Sequence, residues 1–201
     1  MVAVQHGFAT LDTQTKQLTI IHDPESHLPD NRFNDGKCDP AGRFWAGTMA
    51  FEPKGKDGSL YCMETDLSVR KMIDNVTISN GIVWNLDHTR MYYIDSPTYV
   101  VRSYDYDVVS GQIQNDCVLF NVPREMGPPD GMAIDRHGRL WIAHYGGSKI
   151  CCWDPETGRI VQTIELPVSH VTACAFGGPE LDTLYITLRS LGLSEDQIKQ
   201  E

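Results

Sequence analysis

No run of lysine or arginine occurs in the 201 residues, and the formal net charge is −10. Nucleic acid and anionic membrane surfaces are therefore poor partners for this chain. No apolar stretch approaches the ~18 to 20 residues of a membrane-spanning helix. The opening M-V-A-V-Q-H-G has neither a basic start nor a long apolar core, so no secretory signal is expected. The six cysteines, Cys38, Cys62, Cys117, Cys151, Cys152 and Cys174, contain no C-x-x-C. Their scatter predicts reduced, buried thiols in a cytoplasmic protein rather than a disulfide framework or a zinc site. The seven histidines contain no H-x-H or H-E-x-x-H pair. G-x-S-x-G, P-loop and G-x-G-x-x-G sequences are absent, which removes the serine-hydrolase elbow and the common nucleotide loops.

What is present is ordinary in amount, 41% hydrophobic and 22% charged, and suits one globular domain over residues 1–201. Its arrangement is not ordinary. D-P-A-G-R-F-W-A-G from Asp39, L-D-H-T-R-M-Y-Y-I from Leu86, D-R-H-G-R-L-W-I-A from Asp135 and L-D-T-L-Y-I-T from Leu181 each place a polar turn before an alternating aromatic strand. These strands start at Phe44, Met91, Leu140 and Leu184, at spacings of 47, 49 and 44. Turns recur every 8 to 12 residues between them, with no helical periodicity before the final S-E-D-Q-I-K-Q-E. Four short strands in a repeat of 40 to 50 residues mark a propeller blade. Three blades are predicted at roughly 32–78, 79–126 and 127–169, with parts of one blade before them and one after. Trp45, Tyr92, Trp141 and Tyr185 recur at the blade spacing and read as core between blades. The adjacent Cys151 and Cys152 read as strand residues without a chemical role.

In a propeller the innermost strand of each blade faces the central channel, so equivalent residues of successive blades converge. The repeat aligns Asp35-Gly36, Asn80-Gly81 and Asp130-Gly131, with Thr172-Ala173 in the fourth place. Converging oxygen donors suit a hard divalent cation such as Ca²⁺ or Mg²⁺, and the glycine after each donor lets the backbone turn closely. Beside the first of them, N-R-F-N-D-G at residues 31–36 crowds a guanidinium, amides and a carboxylate around Phe33.

N-R-F-N-D-G-K-C-D-P-A-G-R-F-W-A-G-T-M, I-S-N-G-I-V-W-N-L-D-H, P-D-G-M-A-I-D and C-A-F-G-G, in that order, resemble the gluconolactonase and luciferin-regenerating enzyme family. The resemblance covers nearly the whole chain. It implies an all-β, six-bladed propeller, of which this chain holds about four to four and a half blades. It also implies one divalent cation on the axis (Ca, Zn, Mg or Mn), small sugar lactones as substrates, and calcium binding in one branch. By the same likeness Arg32, Asn34 and Glu52 contact substrate, and Asn80 and Asp130 bind the metal. Asp130 is also the proton acceptor, and the internal repeat adds Asp35 behind them or on a metal-bound water. The family's remaining metal ligand, a Glu in G-E-[SG]-P-x-W, has no counterpart in this sequence, and the reading at this stage is of a chain cut at both ends. Two functions stay open: a metal-dependent sugar lactonase, or an inactive calcium-binding or interaction protein. Open blade edges would favour self-association in either case.

Overall fold

The computed structural model describes residues 1–190 and residue 192, and these form five antiparallel sheets in chain order. The S-E-D-Q-I-K-Q-E stretch lies outside the described residues. The first sheet has three strands, β1 (Val2–Val4), β2 (Gly7–Leu11) and β3 (Leu18–His22). Three four-stranded sheets follow. They are β4 (Asn31–Cys38), β5 (Phe44–Ala50), β6 (Gly58–Met63) and β7 (Val69–Val76); then β8 (Ser79–Trp84), β9 (Arg90–Asp95), β10 (Val100–Tyr106) and β11 (Ile113–Asn121); then β12 (Pro129–Ile134), β13 (Leu140–His144), β14 (Lys149–Asp154) and β15 (Arg159–Glu165). A two-stranded sheet of β16 (Val171–Gly177) and β17 (Thr183–Leu188) ends the series. The all-β propeller expectation holds, and so do the three predicted blades. The first strand of each sheet packs on the first strand of the next, β4 on β8, β8 on β12 and β12 on β16.

The turns explain why the chain breaks into hairpins where it does. Asp39 accepts hydrogen bonds at Oδ1 from the backbone of Ala41 and Arg43, both at 2.9 Å, and so closes the turn between β4 and β5. Asp135 does the same for His137 and Arg139 between β12 and β13. Asn85 takes that place between β8 and β9, receiving the N–H groups of Thr89 and Arg90. A short side chain that bonds its own backbone a few residues on is the physical content of the repeated polar turn. In two of the turns the other carboxylate oxygen also receives an indole N–H, from Trp45 and from Trp141, each at 3.0 Å. The turn thus fixes the aromatic residue that fills the next interface.

Those interfaces are the core. Trp45 meets Trp84 and Tyr106 of the following sheet, Tyr92 packs with Leu140 and Trp153, and Trp141 packs with Val171 and Cys174. Tyr185 departs from expectation: it is 58% exposed, because no further sheet covers that face among the described residues. The cysteines are all free, as expected, although Cys38 and Cys117 are exposed rather than buried.

The glycines of the inner strands correct another expectation. Gly81 and Gly131 do not have the positive φ of a special turn; they permit neighbouring inner strands to touch. A Cβ on Gly131 would stand 2.5 Å from the Cβ of Ala173 and 2.8 Å from its Cα. Gly131→Ala is therefore expected to destabilise the fold by about 2 to 3 kcal/mol. The matched Gly55→Ala, whose new Cβ would meet nothing closer than 3.6 Å, should change it by less than about 0.5 kcal/mol. Urea denaturation of both variants checks this, and equal losses would refute it.

Candidate active site

Each inner strand carries a β-bulge at the same height. Between Phe33 and Gly36 two residues, Asn34 and Asp35, oppose the single Gly47 of β5. Asn80 and Gly81 likewise oppose Ile94, and Asp130 and Gly131 oppose Ala143. The register between β16 and β17 slips at Thr172. A bulge interrupts pairing and re-aims a side chain, and here four bulges aim theirs at one place. The ladder register makes Asn34, Asn80, Asp130 and Thr172 equivalent. Asp35 stands where the other strands have Gly81, Gly131 and Ala173. The alignment of Asp35 with Asn80 and Asp130 drawn from the sequence is thus one residue out. Its glycine marker, Gly36, pairs with Ala46 in the regular ladder beyond the bulge.

Hydrogen bonds join the bulges into a chain. Arg32 Nη1 donates to Asn34 Oδ1 at 2.8 Å and to the Phe33 carbonyl at 2.9 Å. Asn34 Nδ2 donates to Asn80 Oδ1 at 3.0 Å and to the Ser79 carbonyl at 2.8 Å. Asn80 Nδ2 donates to Ser96 Oγ at 2.7 Å, and Ser96 donates to the carbonyl of Pro129, the residue before Asp130. Asn80 is buried, so this chain fixes its amide with the oxygen toward Asn34 and one lone pair spare. Below it, Lys37 Nζ reaches from β4 to the Met132 carbonyl of β12 at 2.6 Å, past the intervening β8.

The carboxylates sit where ionisation is costly. Burial, with the negative charge of Asp35 beside it, pushes the Asp130 pKa up to about 7, against the opposing N–H of Gly131 and charge of Arg189. Burial also raises Asp35, opposed by Lys37 and the Gly36 N–H. Lys37 is in turn lowered by burial, and the charges of Asp35 and Cys174 resist that change. Two carboxyl groups that repel one another in a poorly solvated site are arranged for a cation or for proton transfer.

A cavity of about 500 Å³ gathers Arg32, Asn34, Asp35, Asn80 and Asp130. Glu52 is not on its wall: it is exposed and lines a neighbouring cavity with Phe51, Lys54 and Asp57. Phe51, on the wall of that second cavity, has its ring 5.8 Å from the Arg32 guanidinium carbon. The sequence reading missed three polar wall residues, Ser96, Tyr145 and Arg189, along with Met49, Ile78 and Pro128. None lies on an inner strand, so the blade repeat carries no signal for them.

Among the described residues no group of three or more His, Cys, Asp or Glu side chains is placed to hold a metal ion. The donors that do converge are the Asn80 amide oxygen and the Asp130 carboxylate, with Asp35 close by. They fit a hard divalent cation, whose charge would reverse the electrostatic penalty on both carboxylates.

Comparison with known proteins adds the following. The SMP-30/Gluconolactonase/LRE-like region matches residues 1–190. Regucalcin of Xenopus laevis is 41% identical over 206 residues, covering 100% of this chain and 69% of the relative. A calcium-binding protein, regucalcin, from Agrobacterium tumefaciens superposes with a TM-score of 0.93 at 30% identity, over 98% of this chain and 66% of the other. Luciferin-regenerating enzyme superposes at 0.89 and 36% identity, over 96% and 67%. The chain thus spans about two thirds of the length of the relatives it matches.

Proposed function

The chain belongs to the SMP-30/gluconolactonase/LRE-like family, and on that premise we propose that its central cavity hydrolyses sugar lactones with the aid of one divalent cation. The observation that carries this reading is the placing of Asn80 and Asp130, by equivalent bulges, in one cavity with Arg32. Asn80 and Asp130 would hold the cation, which when bound supplies Lewis-acid polarisation of the lactone carbonyl. Asp130 takes a proton from the attacking water as the new C–O bond forms. The ring C–O bond then breaks, the proton returns to the departing ring oxygen, and a hydroxy acid results. Arg32 offers its fork to substrate oxygens while Asn34, pinned between Arg32 and Asn80, orients a hydroxyl. A role for Glu52 requires the substrate to extend past Phe51 toward the neighbouring cavity. A cytoplasmic setting accords with the six free cysteines.

A second reading is cation binding without turnover, resting on Asn80 and Asp130 alone, since among the described residues no group of three or more His, Cys, Asp or Glu side chains is placed to hold a metal ion. One experiment separates the two. Hydrolysis of glucono-1,5-lactone is followed with a pH indicator after EDTA treatment and after return of Ca²⁺, Zn²⁺, Mg²⁺ or Mn²⁺. Turnover abolished by EDTA and restored by a cation supports the lactonase. Turnover indifferent to EDTA removes the cation, and calcium binding without turnover establishes the second reading.

A further inference from the structure

Arg189 follows β17 and reaches the wall of the central cavity, although it belongs to the last described sheet and Arg32 to the second. The inner strands β4, β8, β12 and β16 succeed one another around the cavity, so the two arginines flank it from opposite ends of that run. Arg189 is braced. Its backbone N–H donates to the His170 carbonyl at 3.0 Å. The His170 ring stacks on Tyr145 with centroids 4.3 Å apart and planes 12° from parallel. Tyr145 is itself a wall residue, tied by its own N–H to the Pro128 carbonyl.

Neither Arg32 nor Arg189 forms an ion pair among the described residues; the same holds for Arg90, Arg124, Arg136 and Arg159, but only Arg32 and Arg189 of these line the central cavity. The two charges oppose one another: Arg189 acts, after burial, against the charge on Arg32. Two unpaired guanidinium groups facing one cavity are poised for an anion between them. The hydrolysis described above needs only one such fork. We propose that the lactone taken by this cavity carries a second, anionic group, a carboxylate or a phosphate, and that Arg189 and Arg32 receive it. This rests on the lactonase reading and narrows its substrate class. The volume, about 500 Å³, is ample for such a molecule, within the ~300 to 1,000 Å³ usual for small-ligand sites.

The test compares kcat/KM for neutral glucono-1,5-lactone, carboxylate-bearing glucaro-1,4-lactone and 6-phosphoglucono-1,5-lactone. The proteins are the unsubstituted chain, Arg189→Gln and Arg189→Lys. Binding of D-glucarate and of neutral D-glucitol is measured calorimetrically in parallel. At least one anionic lactone should exceed the neutral one by roughly 10-fold or more, and which one does so tells carboxylate from phosphate. Arg189→Gln should reduce that ratio by about 10-fold, and Arg189→Lys should restore part of it. Equal values for neutral and anionic lactones, or a ratio unmoved by Arg189→Gln, would overturn the proposal and leave the lactonase standing. If no lactone is turned over, the lactonase reading fails alone. The anion site then stands if D-glucarate outbinds D-glucitol only while Arg189 is present, and falls otherwise.

Discussion

Replacing Asp130 by asparagine is expected to lower kcat for lactone hydrolysis by about 10³-fold and, at pH 8, to stabilise the fold. The two effects share a cause. The carboxyl is held at a pKa of about 7 against an ordinary 3.8, chiefly because burial disfavours its charge. Between these values the folded chain keeps a proton that the unfolded chain has released. The contribution to stability is therefore fully present below about pH 4 and is lost as the pH rises through 7. By pH 8 the loss is on the order of 2 to 4 kcal/mol. Asparagine has no charge to desolvate and escapes this loss, but it cannot take a proton from water. Urea denaturation in EDTA at pH 4 and pH 8 reads the first effect, and the lactone assay reads the second. A variant whose stability falls with pH as steeply as the parent's would refute the electrostatic account. One that keeps its turnover would remove Asp130 as the base.

The other large effect is purely structural. Asp39→Ala should cost about 3 to 5 kcal/mol, because it removes one of the two carboxylates that hold a buried arginine and leaves the buried Trp45 and Tyr106 donors without an acceptor. The Asp39 side chain is 0% exposed and that of Arg43 only 8%. Its Oδ2 receives Arg43 Nη1 at 3.1 Å, Trp45 Nε1 at 3.0 Å and the Tyr106 hydroxyl at 2.7 Å, the last from the following sheet. Burial pushes the Asp39 pKa up, but these donors outweigh it and hold the carboxyl below its ordinary value. Arg43 goes on to the carbonyls of Val108 and Val109 and to Glu64. One carboxylate thus organises its own turn, the indole behind it and the contact with the next sheet. Asp135 provides the comparison. It holds Arg139 and Trp141 in the same way, but Arg139 is 33% exposed and water can replace its partner. Asp135→Ala should cost about 1 to 2 kcal/mol. Equal urea midpoints for the two variants would show that burial of the arginine is not what separates them.

The sequence displayed the blades because a blade is a local object. A polar turn, an aromatic strand and a hairpin recur within some 47 residues, and each signal arises from neighbours in the chain. Asn80 and Asp130 were legible for the same reason, since inner strands inherit their place from the repeat; Arg32 and Asn34 were singled out by the family resemblance. Asp35 was read one place out because a bulge sets two residues against one, and the glycine used to align them performs different duties. Gly131 admits Ala173 of the next sheet, while Gly36 lies in the regular ladder of its own. Glu52, expected from the resemblance to contact substrate, lines the neighbouring cavity because it follows β5, where position depends on loop geometry rather than on strand pattern. Ser96, Tyr145 and Arg189 gave no signal, for each reaches the cavity from just past the end of the second strand of its sheet, β9, β13 or β17.

The bulges also separate what this protein does from how it stands. A residue at a bulge can be exchanged without shifting any partner across the ladder, because the pairing resumes one or two residues later whatever occupies the gap. Asn34, Asn80, Asp130 and Thr172 are in this sense four sockets of one pattern, filled by two amides, an acid and a hydroxyl. Asn34 and Asn80 also tie neighbouring sheets together through Ser79 and Ser96, so Thr172 is the socket where new chemistry disturbs the fold least, and its present occupant commits the cavity to least.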